Sequence, residues 1–117
     1  MMTTYDVFGM CNALIDIQAF VDDTFLASIG VNKGIMHLID EERSRSILKR
    51  LEHIPQEMLP GGSGANSMST VAFLGGHPIY TGVVSHDEYG RAYEEKLTGY
   101  GVKALLRKVN YGLTGDR

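Results

Sequence analysis

The chain has 117 residues, 44% of them hydrophobic and 21% charged, which is the size and balance of one water-soluble globular domain. A net charge of −3, with no basic cluster that acidic residues leave unbalanced, excludes a general nucleic-acid binder, and no apolar run is long enough for a membrane span. One cysteine, Cys11, permits no internal disulfide, and the N-terminus lacks the basic start and apolar stretch of a signal peptide, so the expected location is cytoplasmic.

Taken in chain order, Thr4 to Cys11 reads as a first strand that ends in a loop at Asn12. Leu14 to Val21 is rich in β-formers and partly alternating, and predicts a second strand. Asp22 and Asp23 cap a short helix through Ser28, which Gly30 closes. Residues 34–39 predict another short strand. Asp40 then caps a helix with Glu41 and Glu42 in its first turn, where acidic side chains oppose the helix dipole favourably. The apolar set Ile47, Leu48, Leu51 and Ile54 gives that helix one buried face, and Pro55 ends it.

The stretch from Pro55 to Pro60 makes a poor strand. A glycine-led helix follows from about Ser63 to Leu74, stopped by Gly75 and Gly76. Pro78 to Val84 is a near-continuous apolar strand, the kind buried on both faces of a parallel sheet. Asp87 caps a helix that carries Tyr89, Ala92, Tyr93, Lys96 and Leu97 and stops near Gly99, and residues 102–109 form a last strand. This alternation predicts an α/β fold with a doubly wound parallel sheet.

Two features bear on chemistry. Asp16 follows the loop after the first strand, with Asn12 four residues before it. Its carboxylate either faces solvent at a sheet edge or, at the carboxyl ends of the strands, accepts two hydrogen bonds side by side from a vicinal diol. Gly61, Gly62, Ser63 and Gly64 are either an ordinary turn capped by Ser63 or a mouth where a ligand meets bare backbone, with Asn66 in the first turn behind it. The glycines do not form a dinucleotide fingerprint, because the third glycine and a good preceding strand are missing, and no Gly-Lys-Ser/Thr makes a P-loop. A nicotinamide-dependent oxidoreductase is therefore disfavoured. The four histidines show no metal-ligand spacing, so no metal site is expected within the chain. Met10, Met36, Met58 and Met68 read as core or lid filler.

The order Gly61, Gly62, Asn66, Ala72, Leu74, Gly75 resembles the N-terminal helix signature of the ribokinase (PfkB) family of carbohydrate and nucleoside kinases. Gly9 to Asp16 is similar to the Gly-x-Gly-Asn-x-x-x-Asp segment of its adenosine-kinase branch, with Cys11 where a glycine is common. Lys33 to Asp40 resembles a lid strand of bacterial members of that branch. Gly82 to Gly90 resembles the family's strand-turn-helix segment, and Gly101-Val102 the start of the next strand. The resemblance implies a three-layer α/β/α ribokinase-like sheet with a small β lid, whose lid strands fall at about 14–21, 34–39 and 102–109, and a chain that is the N-terminal, substrate-binding portion of one kinase domain. It implies that Asp16 binds a ribose diol, that Asn12, Gly62 and Asn66 also contact the sugar, and that Gly61 and Ser63 shape the loop. Leu14 and Met36 fall where that branch places apolar contacts to a base, although core or lid packing explains them equally well.

ATP and Mg²⁺ are implied for the whole kinase, but the late Gly-Ala-Gly-Asp motif that activates the substrate hydroxyl has no match here, and no catalytic residue is assigned. Asp116, in Thr114-Gly115-Asp116, is expected in a loop beside the lid. Two readings follow: the N-terminal portion of an ATP-dependent kinase that phosphorylates a hydroxymethyl group of an adenosine-like substrate, or a non-catalytic sugar- or nucleoside-binding fragment that dimerises through the lid. A parallel sheet with an unpaired edge and uncovered apolar faces is further expected to self-associate.

Overall fold

The computed structural model describes residues 4–116. Two compact units make up the chain: one built from the stretches up to Ile17 and from Met58 onward, the other Gln18–Glu57.

The first unit holds a three-stranded parallel sheet of β1 (Val7–Met10), β4 (Pro78–Ser85) and β5 (Lys103–Val109), in the order β1-β4-β5. Register runs from Val7↔Pro78 to Met10↔Thr81 on one side and from Ile79↔Lys103 to Ser85↔Val109 on the other. Parallel neighbours need a crossover, and α4 (Glu88–Gly99) supplies it between β4 and β5. Helix α3 (Ser63–Phe73) packs on β4 and β1, and α4 packs on β5 and β4. The period of two along each strand then sorts the side chains. Tyr80 and Val84 of β4 meet Ala65 and Met68 of α3 and Tyr93 and Leu97 of α4 in one core. On the opposite face, Phe8, Met10, Val83 and Leu105 are exposed. The parallel α/β sheet is as expected. Among the described residues, however, helices cover one face only, so β4 is not buried on both sides and two of the three layers are present.

A second sheet has the order β3-β2-β6, from β2 (Leu14–Ala19), β3 (Gln56–Gly61) and β6 (Gly115–Asp116), with β2 and β6 parallel at Leu14↔Gly115 and Ile15↔Asp116. Three expectations are corrected here. The stretch containing Pro60 is a strand, and it sits at a sheet edge, where a missing N–H is tolerated. Asp116 lies in β6 rather than in a loop. The strand expected at 102–109 is β5 of the main sheet, not a lid strand, because its whole length finds a partner in β4.

The second unit carries α1 (Asp23–Ser28) and α2 (Glu41–Leu51). Asp22 and Asp40 cap them by accepting from the N–H of Phe25 and Arg43, both at 2.8 Å. Arg43 and Arg50 of α2 donate to the carbonyls of Ile29 and Ser28, at 3.1 and 2.8 Å, and satisfy groups at the end of α1. The lid strand expected at 34–39 does not form. Gly34 adopts φ +78, which breaks an extended run, and among the described residues no strand pairs with this segment. Strand β2 also stops at Ala19, short of Val21, because Asp22 is already a helix cap. Of the four methionines expected as filler, Met68 is buried and Met58 packs beside the core, but Met10 is 82% and Met36 89% exposed. Among the described residues no helix is long and apolar enough to cross a membrane.

Candidate functional site

Among the described residues, three of the four helices begin with an aspartate whose side chain accepts from a first-turn amide, and α3 does not. Its N-cap is Gly62, at φ 87 and ψ 154, a conformation open essentially to glycine alone. The expected cap, Ser63, is instead the first helical residue and is exposed. The first intrahelical bond runs from Asn66 N–H to the Gly62 carbonyl at 3.1 Å, so the amides before it are left with no side-chain cap. Donors of this kind at a helix N-terminus suit an oxygen-rich ligand.

The chain arrives at this mouth along β3, beside β2. There Gly61 lies against Asp16: an ideal Cβ on residue 61 would stand 2.5 Å from Asp16 Oδ1 and 2.6 Å from both Cγ and Oδ2. The glycine therefore makes room for the carboxylate. Residues 11–13, which join β1 to β2, are held from both sides. Cys11 N–H donates to the Thr81 carbonyl at 3.0 Å, and a Cβ on Gly82 would come within 2.7 Å of the Cys11 carbonyl oxygen. A Cβ on Gly64 would collide with the Cys11 sulfur. Cys11 is thus a half-buried packing group wedged between α3 and β4.

Nearby, Tyr93 donates its hydroxyl to Tyr80 at 2.9 Å, with ring centroids 5.7 Å apart. Burial raises the pKa of both phenols above 10.0. The fully buried pair is a rigid prop and not a proton donor at neutral pH.

Around this mouth opens a cleft of about 490 Å³ lined by Met10, Cys11, Asn12, Leu14, Gly62, Ser63 and Gly64. Ligand sites of open α/β sheets form at such converging strand ends. A larger depression of about 570 Å³ is lined by Arg91, Glu94, Glu95, Thr98 and Gly99, all on α4, and brings no separate elements together. The structure thus gathers Asn12, Leu14, Gly62 and Ser63 around one cleft, with Asp16 and Gly61 in mutual contact on the adjoining strands. Asn66 is exposed in the first turn of α3 and Met36 lies in the other unit; neither lines the cleft. Three lining residues, Met10, Cys11 and Gly64, are not among the site residues expected from the sequence. Gly64 was legible as the third glycine of the loop, whereas nothing in the sequence marks Met10. Among the described residues, no group of three or more His, Cys, Asp or Glu could hold a metal ion.

No protein-family model matches the chain. Among curated proteins it is similar to adenosine kinase 2 of Arabidopsis thaliana, with 29% identity over 97% of this chain and 34% of that protein. Among solved structures, the adenosine kinase of Sinorhizobium meliloti superposes with a TM-score of 0.71 and 34% identity, over 93% of this chain and 33% of that one. The apo adenosine kinase of Trypanosoma brucei brucei gives a TM-score of 0.80 at 28% identity, over 92% and 34%. The chain spans about a third of the length of these relatives.

Proposed function

We propose that the chain belongs to the adenosine-kinase-like branch of the ribokinase (PfkB) family, as its likeness to adenosine kinases supports, and that it forms the ribose-binding side of a nucleoside-kinase active site. The observation that carries this reading is the Asp16 carboxylate set against Gly61 beside the uncapped first turn of α3. A carboxylate accepts from two adjacent hydroxyls at once, while backbone amides of the turn donate to their oxygens, so a cis-diol satisfies both. Asn12 adds a side-chain donor and acceptor at the cleft, and Leu14 an apolar surface for a base. Asn66 contributes to the sugar, as the family resemblance implies.

In the whole kinase, ATP with Mg²⁺ would supply the phosphoryl group for the substrate's hydroxymethyl. No residue of this chain matches the motif that activates the substrate hydroxyl, so no transfer step is assigned to it. Its part is to bind and orient the sugar, since phosphoryl transfer relies on positioning together with electrostatic stabilisation. A cytoplasmic location and pairing through the lid belong to the same proposal.

Calorimetric titration of the chain with adenosine and with ribose, beside Asp16→Asn, tests it. Adenosine binding that the substitution abolishes supports the reading. Ribose binding equal to that of adenosine reassigns the substrate to a simple sugar. No binding of either by a folded chain refutes the half-site.

A further inference from the structure

One polar network lies outside the cleft and has no part in the reading above. Asp87 accepts from the Gly90 N–H at 2.7 Å, as a helix cap, and also from the Thr114 N–H at 2.8 Å and the Thr114 hydroxyl at 2.7 Å. The Thr114 oxygen in turn accepts from the Ser85 N–H at 3.0 Å. Ser85 Oγ stands within hydrogen-bonding distance of three carbonyls of the returning chain, the nearest that of Gly112 at 2.8 Å. Thr114 is 2% exposed, so these bonds are shielded from water. Burial would raise the Asp87 carboxyl, but the three N–H and O–H donors outweigh it and hold the group below the ordinary carboxylate range. A helix cap needs only the bond to Gly90. The two bonds to Thr114 do something more.

What they hold is the residue before β6. Gly115 pairs with Leu14, and Asp116 with Ile15. The approach is close: a Cβ on Gly115 would stand 2.9 Å from Leu14 Cδ2. Leu14 lines the cleft, and two residues further along the same strand is Asp16. We propose that Asp87 and Thr114 are positioning residues: their paired hydrogen bonds anchor β6 against β2 and so set where Leu14 and Asp16 stand at the cleft. This rests on the nucleoside-site reading for its consequence in binding, but not for its geometry.

The test measures Leu14 methyl shifts and amide hydrogen exchange across β2, β6, β4 and β5 in the 117-residue chain as wild type, Thr114→Val, Thr114→Ser and Asp87→Asn, each titrated with adenosine. Loss of a buried hydroxyl partner should raise exchange at Leu14, Ile15 and Gly115 roughly tenfold or more over any change in β4 and β5. The Leu14 methyls should shift, adenosine affinity should fall by a similar factor, and Thr114→Ser should restore all three. If Thr114→Val does not fold, Asp87→Asn reads the same quantities, and failure of that variant to fold as well overturns the proposal, because the bonds then support the whole sheet. Equal acceleration in both sheets, or an unmoved Leu14, also overturns it. Selective loosening of β2 and β6 in a chain that binds no adenosine supports the anchor and sinks the nucleoside reading alone.

Discussion

Replacing Gly61 by alanine separates the site from the fold more sharply than any other single change. Residue 61 is not among those with positive φ, so alanine meets no backbone objection. Its Cβ would stand 2.5 Å from Asp16 Oδ1, about 1 Å inside ordinary contact distance. The obstacle is the end of a side chain, so Asp16 swings aside. A displaced rotamer costs about 0.5–1.5 kcal/mol, which for a chain of this size lowers the melting temperature by roughly 2–6 °C. Binding should suffer more. Each hydrogen bond to a charged group is worth about 1.5–3 kcal/mol, so losing one or both bonds to a diol weakens adenosine affinity roughly 10-fold to more than 100-fold. Calorimetry on wild type, Gly61→Ala, Asp16→Ala and the double variant makes the cycle. Both changes act through the same carboxylate, so on the Asp16→Ala background Gly61→Ala should cost almost nothing further. Affinity within about twofold of wild type for a folded Gly61→Ala chain, or losses that simply add, would refute the reasoning.

Gly62→Ala forces a side chain onto φ 87 and ψ 154, and should destabilise the chain by about 1–3 kcal/mol in urea denaturation; an unchanged midpoint would show that the turn relaxes freely. Because burial holds Tyr80 and Tyr93 protonated above 10.0, the unfolded chain releases those protons first. Their contribution to stability is complete below that pH and declines as pH rises past it, and ultraviolet titration should show neither phenol ionising at its ordinary value before the chain unfolds. The bare sheet face, where Val83 is 54% and Leu105 47% exposed, should drive self-association. Leu105→Lys should reduce it in light scattering while leaving stability within about 0.5 kcal/mol.

Local signals carried much of this protein. Aspartates at 22, 40 and 87 cap helices because a short carboxylate reaches its own first-turn amide, and that bond needs nothing beyond the next three residues. The paired glycines at 61 and 62 mark the mouth of α3 because only glycine permits Gly62's backbone angles and the room Asp16 takes against Gly61. Strands were less legible, since a strand exists only where another pairs with it. The mostly apolar run at 34–39 finds no partner among the described residues and stays irregular, while the unpromising stretch ending in Pro60 finds one in β2 and becomes an edge strand. Which sheet takes residues 103–109 is likewise a matter of register with β4. The bonds from Asp87 to Thr114 span 27 residues and depend on where the chain returns after β5. No pattern within the sequence predicts such a meeting, because it is the folded sheet that brings the two residues together.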